Sequence, residues 1–334
     1  MVSIDPQIGS RLDGSRRDPP GSRPSRHARV EFDMTDSEPF LEHRSLLFAI
    51  AYRMLGSVAD AEDAVQETYL RWSRTTEQGE EIHSPKAWLT TTISRVCLDQ
   101  LGSARVKRER YIGPWLPEPL AGVTPDVAET VADFDSLSVA FLVLLESLSP
   151  KERAVFLLHD VFGYDFASIG DIVGESDAYC RQLAKRARTH MVERRPRFAA
   201  DRVQQERLTT DFLRAVSEGD MLALIETLTD DVTVFSDGGG KVNAARKPVV
   251  GRDKVALFLT NLARLAPSGT SFRIEPINGQ PGIVTLVDGE VRNVVTFDFA
   301  DSAIRTIYIV VNPDKLGPVA SALSGSGRTE DQIH

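Results

Sequence analysis

Arg181, Gln182 and Lys185, with Ala178 on the same side at helical spacing and Arg188 beyond them, have the donors and the charge to reach base edges and phosphates of duplex DNA. From Ser176 to Arg197 there are seven Lys/Arg against Asp177 and Glu193, in a chain whose net charge is −9. A phosphate backbone meets the local field rather than the global balance, so overall acidity does not argue against nucleic-acid binding. At about 100° per residue, Cys180, Ala184 and Ala187 fall on the other side as a small apolar seam. A basic helix face can also be merely solvated, but the preceding segment completes a recognisable unit. Ser149-Pro150-Lys151-Glu152 is a capping box with proline at the first helical position, predicting a helix through Leu158 that Gly163-Tyr164 ends. A short helix at 166–173 follows, Gly174 makes the turn, and Ser176 caps the basic helix. This is the pattern of a helix-turn-helix, whose last helix enters the major groove.

A second constellation is acidic. Ser57 can cap a helix in which Ala61, Val65, Thr68 and Trp72 share one face while Asp60, Glu62, Asp63 and Gln66 lie away from it. Val58 to Glu67 carries four acids and no base. The helix dipole favours some acids in a first turn, but four exceed that need and suggest a basic docking partner. Before it, Phe40, Leu41, Leu47, Ile50, Ala51, Met54 and Leu55 form an apolar stripe that Gly56 ends. After it, a helix starts near Ser84-Pro85, with Trp88, Leu89, Ile93, Val96, Cys97 and Leu101 as core. From Arg95 to Arg110 it carries five bases against Asp99 and Glu109. With Tyr111 adjacent, such a helix could track phosphates and stack unpaired bases; a solvated helix end is the alternative.

Taken in order, Asp60-Ala61-Glu62-Asp63-Ala64-Val65-Gln66-Glu67-Thr68, Pro85-Lys86-Ala87-Trp88-Leu89, Leu148-Ser149-Pro150-Lys151-Glu152-Arg153 and the helix-turn-helix resemble bacterial extracytoplasmic-function sigma factors. Gly113-Pro114-Trp115-Leu116-Pro117-Glu118-Pro119, Asp237-Gly238-Gly239-Gly240-Lys241 and Asn312-Pro313-Asp314-Lys315-Leu316 resemble the subgroup with a SnoaL-like carboxy-terminal domain, the SigJ type. The resemblance spans about residues 40 to 316. It implies that Asp60, Glu62, Asp63 and Gln66 dock on the clamp helices of the RNA polymerase largest subunit, with the polymerase flap a second core contact. It implies that Arg95, Asp99, Arg105, Lys107 and Arg108 hold the −10 promoter element. It further implies that Ala178, Arg181, Gln182, Lys185 and Arg188 read the −35 element. Where many relatives place asparagine in the −10 helix this chain has Arg95, a departure that touches those contacts.

The elements that must position these residues fall into a multidomain chain: two all-α units, the second with the helix-turn-helix, then an α+β cone of the NTF2/SnoaL-like kind. The expected boundaries are 1–37 disordered tail, 38–112 first helical unit, 113–134 linker, 135–198 second helical unit, 206–318 cone and 319–334 tail. Each domain is expected to have its own core. In the cone, two short helices precede a strand at 232–235 and a helix near 253–265. Alternating segments at 272–277, 283–287, 291–299 and 304–311 then read as an antiparallel sheet, with Asp288-Gly289 a hairpin turn. From 201 to 334 there are 18 acids and 14 bases, no nucleic-acid footprint.

Trp115, Leu116 and Pro117 lie in an extended proline segment whose apolar side chains need a partner surface. A rigid linker is one reading; packing on the carboxy-terminal domain is the other. With Asp237, Gly238, Gly239, Gly240, Lys241, Asn312, Pro313, Asp314 and Lys315 it is expected to form regulatory contacts that act in cis. Asp237 and Tyr308 would be the groups for proton-transfer chemistry in a cone, although Asp-Gly-Gly-Gly is first of all a turn. The expectation is no enzyme, no cofactor and no metal, since the six histidines are scattered. A small-molecule ligand in the cone stays open. Cys97 and Cys180, the two cysteines, are expected reduced and buried; without a signal-peptide core or a spanning apolar run, a cytoplasmic protein is expected. Two other classes remain: a helix-turn-helix regulator with a ligand-binding domain, and a SnoaL-like enzyme with a DNA-binding appendage.

Overall fold

The computed structural model describes residues 38–109, 111–122, 137–194, 201–300 and 302–326. The expectations for 1–37, for 123–134 of the linker and for the chain past 326 lie outside these residues, as do the side chains of Arg105 and Lys107. Helix α1, Glu38–Leu55, ends where Gly56 takes a left-handed turn, and α2, Val58–Glu77, starts under the Ser57 hydroxyl, which accepts from the Asp60 N–H at 3.1 Å. Helix α3, Pro85–Glu109, completes the first unit. Of the expected stripe on α1, Leu41 is exposed: it follows Phe40 by one residue and is therefore rotated off the buried face.

The second unit has a helix that periodicity did not reveal, α4, Val139–Leu145, capped by Ser138. Its sequence Val-Ala-Phe-Leu-Val-Leu-Leu is apolar all round because it is covered on two sides. Phe141, Leu142 and Leu145 join the helical core, and Val139, Ala140 and Val143 pack on the cone. Helix α5, Pro150–Phe156, opens with the expected capping box and continues as a π turn, Leu157–Val161. Helices α6, Phe166–Val173, and α7, Asp177–Arg194, form the helix-turn-helix around a left-handed Gly174. At Gly170 an added Cβ would stand 2.7 Å from the Glu175 carbonyl oxygen, so this tight crossing admits only glycine.

The expectation of separate cores for the two helical units is corrected. One buried cluster runs from Phe40 and Leu47 through Leu89 and Ile93 to Leu157, Ile169 and Cys180. The apolar faces of α3, α5 and α6 meet, so the two units share one interior. Cys97 and Cys180 are free and buried within it.

The cone begins with α8, Arg202–Glu218, and α9, Met221–Glu226, each capped by an aspartate, Asp201 and Asp220. Its strands are β1 Leu228–Asp237, β2 Val249–Val250, β3 Thr270–Ile277, β4 Gln280–Val287, β5 Glu290–Ala300 and β6 Ala303–Val310, with α10, Arg252–Arg264, between β2 and β3. The sheet order is β2-β1-β6-β5-β4-β3. The antiparallel expectation holds for β3 to β6, but β1 pairs β6 in parallel, so the sheet is mixed. Period-2 alternation reports which face is buried and says nothing of strand direction. The expected tail from 319 is corrected as well: a short 3₁₀ turn, Pro313–Lys315, leads into α11, Gly317–Ser326, which places Val319 and Leu323 against the sheet. One sheet face, with Ile283, Phe297, Ile307 and Ile309, packs on Phe212 of α8 and Leu259 of α10. The other, with Val284, Tyr308 and Val310, packs on Leu116, Val139 and Val319. The cone is thus fastened to the linker and to α4 through its outer face. Among the described residues no helix is long and apolar enough to cross a membrane.

Candidate nucleic-acid interface and linker clamp

On α7 the expected reading side is the exposed side. Ala178, Arg181, Gln182, Lys185 and Arg188 all face solvent, while Cys180, Leu183, Ala184 and Ala187 are buried. Arg181 pairs with Asp177 at 2.9 Å and lies over the Phe166 ring, and Arg188 pairs with Asp160 at 2.8 Å. These are exposed pairs, individually weak and replaceable by phosphate. The acidic face of α2 is equally open: Asp60, Glu62, Asp63 and Gln66 are exposed and the opposite side is core. Glu62 meets Arg44 of α1 at 2.7 Å, which orients one of the carboxylates.

Helix α3 is different. The Arg95 guanidinium donates to the backbone carbonyls of Asp171 at 2.7 Å and Ile172 at 3.3 Å, at the end of α6. Thr90 Oγ1 meets the Tyr164 hydroxyl at 2.9 Å on the same seam. Arg108 donates to the Leu55 carbonyl at 2.6 Å, forms an ion pair with Glu146 and lies 3.9 Å over the Trp115 ring. Glu146 is also held by Arg153 at 2.7 Å, and Arg153 in turn donates to the Met54 carbonyl. Burial holds the Arg108 guanidinium below its usual range, partly offset by Glu146. Asp99 is exposed. Beside Arg95, a cleft of about 740 Å³ is lined by Arg71, Arg74, His83, Trp88, Thr91 and Thr92 among others. Arg71 and Arg74 were not singled out from the sequence, because on α2 they read as ordinary solvated positions; their signal is the basic end of a helix that begins acidic.

The linker runs between the helices and the cone and is anchored on both. Leu116 N–H donates to Asp237 Oδ2 at 2.9 Å, and the Leu116 carbonyl accepts from Lys315 Nζ at 2.5 Å. Lys315 and Asp237 form a buried ion pair at 2.8 Å. The Tyr111 hydroxyl donates to Asp237 Oδ1 at 2.6 Å and accepts from Asn312 Nδ2 at 2.9 Å. Desolvation lowers Lys315 and the adjacent Asp237 opposes that; burial and Asp237 raise Tyr111. The Gly238-Gly239-Gly240 turn brings the Lys241 N–H back to the Gly238 carbonyl, and Lys241 pairs with Asp314 at 2.5 Å on the surface, next to Pro313. Trp115 is half-buried, held between Arg108 and Lys315, whose Nζ stands 4.2 Å from the ring centroid. It also covers Gly56, where a Cβ would come 2.8 Å from the indole.

Two anchors escaped the sequence reading. Glu118 is buried, and its carboxylate accepts from the Val58 N–H at 2.7 Å and from the Ser57 hydroxyl at 3.1 Å, capping α2 from the linker. Its carbonyl accepts from Tyr52 at 2.7 Å. Asn278, at the β3–β4 turn with φ 52°, is buried. It donates to the Tyr52 hydroxyl at 2.7 Å and the Leu137 carbonyl at 3.0 Å, and accepts from the Leu120 N–H at 3.0 Å. One side chain therefore ties the cone to α1, the linker and the start of the second unit. Its sequence signal was Asn278-Gly279 between two alternating runs, a hairpin pair.

Comparison with known proteins bears on the whole arrangement. Residues 40–106 match Sigma-70 region 2, and residues 138–191 match Sigma-70, region 4. The chain is 35% identical over 296 residues to the ECF RNA polymerase sigma factor SigJ of Mycobacterium tuberculosis, covering 85% of this chain and 93% of that protein. The chain belongs to the ECF RNA polymerase sigma factors. It is also 33% identical over 286 residues to the probable ECF RNA polymerase sigma factor SigI of the same species, covering 85% of this chain and 95% of the relative. The crystal structure of M. tuberculosis SigJ aligns with a TM-score of 0.68 at 32% identity, covering 84% of this chain and 98% of that one. The cone is accordingly the SnoaL-like domain of a sigma factor. As a sigma factor the protein binds core RNA polymerase and promoter DNA and directs transcription initiation. Region 2 comprises α1 to α3, and region 4 comprises α4 to α7.

Proposed function

We propose that the acidic face of α2 docks on the polymerase clamp helices, that α7 reads the −35 element, that α3 and its neighbouring cleft hold the −10 element, and that the SnoaL-like domain restrains these surfaces in cis. The single observation that carries the reading is the engagement of Arg95 and Arg108. Two of the residues assigned to the −10 element are spent on contacts with α6 and Glu146, so binding promoter DNA requires regions 2 and 4 to part. The linker clamp sits where it resists that parting, since Trp115 stacks on Arg108 and Leu116 is held by Asp237 and Lys315. The cone is read as non-catalytic. Both oxygens of Asp237 are taken by Tyr111, Leu116, Gly239 and Lys315, and Tyr308 stacks on Phe235 on the sheet face opposite the cone interior. Its place of action is the cytoplasm, with the polymerase.

Transcription in vitro with purified core polymerase tests the docking assignment. Asp60→Lys with Asp63→Lys should abolish co-purification with core polymerase while the thermal melt stays at the wild-type temperature, because two reversed charges add repulsion to a lost attraction. Unchanged affinity for core polymerase would refute the docking face. A protein that bound promoter duplex tightly alone and never needed core polymerase would instead be an ordinary helix-turn-helix regulator.

A further inference from the structure

The cone encloses a cavity of about 420 Å³ that neither the polymerase nor the promoter surfaces use. It lies on the sheet face opposite the linker, with Phe212, Ile283 and Ile309 as a buried floor and the edge-on contact of Phe212 with Phe297 closing it below. A volume of this size is within the range of small-molecule sites. The rim is apolar too: Leu265 is 80% exposed and Phe272 38% exposed, both on the wall. The polar side chains of the lining are Thr270, Thr285, Asn293 and Arg292. Thr285 and Asn293 are cross-strand partners beside the β4–β5 irregularity, so a hydroxyl and a carboxamide stand together at one place on an otherwise apolar wall. Arg292 is turned to Glu290, 3.1 Å away, and both are exposed, so its charge is answered outside. No carboxylate, histidine or lysine lines the space among the described residues.

We propose that this cavity is a receptor site for a neutral, flat or compact apolar molecule with one hydrogen-bonding terminus, such as an aromatic ketone or alcohol, and that its occupancy is felt at the linker clamp. A cation would find no carboxylate on the wall, and an anion would have to draw Arg292 at the rim away from Glu290 while the rest of the wall desolvates it, so the lining favours a neutral molecule. A protein segment or second copy would meet only the rim, whereas the floor is reached by a slim molecule. The route to the clamp is strand β6. Ile309 and Val311 line the cavity, while the alternate residues Tyr308 and Val310 pack on the opposite face with Leu116 and Val139. The next residue, Asn312, holds Tyr111, and the N–H groups of Val311 and Asn312 both donate to the Asp237 carbonyl. A ligand that spreads α10 from β6 therefore displaces the strand that carries the clamp. This second part rests on the reading that the clamp restrains transcription.

The test uses the full-length protein and 2-acetylnaphthalene as probe, with 2-ethylnaphthalene and 2-naphthoate as controls, by titration calorimetry. The ketone should bind about fivefold tighter than the ethyl compound, and the carboxylate weakest. Ala263→Phe, which fills the cavity from α10, should weaken the ketone about tenfold, and Asn293→Leu should erase the preference for ketone over ethyl; thermal melts establish that both fold. No binding by the wild-type protein, or equal binding by Ala263→Phe, would overturn the receptor site. Linkage requires that a broken clamp change the affinity, so Asp237→Asn should shift the Kd for the ketone severalfold. Equal affinity in Asp237→Asn, with wild-type transcription unmoved by saturating ketone, would overturn the coupling. Wild-type transcription by Asp237→Asn without ligand would instead defeat the cis-restraint reading and leave the receptor site standing.

Discussion

Helices α3 and α7 both carry a surplus of positive charge on a helix that packs its other side into the shared core, yet the molecule deploys them differently. On α7, Arg181 and Arg188 meet solvent-accessible acids, Asp177 and Asp160, and Arg181 lies over the Phe166 ring, so the surface stays open to a groove. On α3, Arg95 is spent on carbonyls of α6, and Arg108 on Glu146, Leu55 and the indole of Trp115. The same residue type thus stays available to a groove where its partners are weak and exposed, and acts as a tether where they belong to the packed seam between the helical units. The difference teaches that charge along a sequence locates surfaces that can bind nucleic acid but not whether they are free to.

The comparison breaks most severely at the clamp. Replacing Asp237 with alanine leaves the Lys315 ammonium buried and strips acceptors from Tyr111 and Leu116. Loss of one partner of a buried pair costs about 3–5 kcal/mol. Urea unfolding of the cone should register that loss, and amide exchange at 111–118 should accelerate well beyond that of α7. Uniform protection of the linker in this variant would show that Trp115 and Arg108 are held without Asp237.

Arg181→Ala tests the other helix. A bidentate contact to one base pair is worth about 1–3 kcal/mol of discrimination, whereas a phosphate contact weakens all promoters alike. Reporter output across a library of −35 variants separates the two, and wild-type output on every variant would remove Arg181 from the interface.

What could be read in advance follows from the range of the interactions. Caps and periodicities are local, so Ser57, Ser149, Gly174 and the buried seam of α7 were legible from a few residues each. Helix α4 was not, since being covered on two sides erases the alternation that announces a helix. The parallel pairing of β1 with β6 and the merged helical core depend on contacts between segments far apart in the chain. The strings around Trp115, Asp237 and Asn312 were visible as strings, but their meeting in one buried ion pair was not. Glu118 and Asn278 were missed for the same reason: a capping carboxylate usually precedes its helix by a residue or two, and Glu118 caps one that lies 60 residues upstream.

Asn278 offers a cleaner, smaller perturbation. Asn278→Gly keeps the positive φ of the turn and deletes only the side chain, so the expected loss is about 1–3 kcal/mol from the donors and acceptors it leaves unpaired. Asn278→Ala adds about 1 kcal/mol of backbone strain. If the glycine variant melts like the wild type, the ties to Tyr52, Leu120 and Leu137 contribute nothing to the closed arrangement.

The smallest expected effect is the most discriminating, because Arg95 stands on both sides of the comparison. Its two hydrogen bonds to α6 carbonyls are partly solvated, so Arg95→Ala should loosen the seam between regions 2 and 4 by only about 0.5–1.5 kcal/mol. If Arg95 is purely a tether, that loosening raises the open population and transcription in vitro increases a few fold. If it also meets the −10 element once the seam opens, the gain is offset by a lost contact, and open-complex formation falls while affinity for core polymerase is unchanged. Lysine at the same position keeps the charge for phosphate but cannot span both carbonyls with one planar group. Arg95→Lys should therefore behave like alanine at the seam and like arginine on DNA. An Arg95→Lys protein that transcribes more strongly than wild type while Arg95→Ala transcribes more weakly would assign both roles to this one side chain. Equal output from all three would assign it neither.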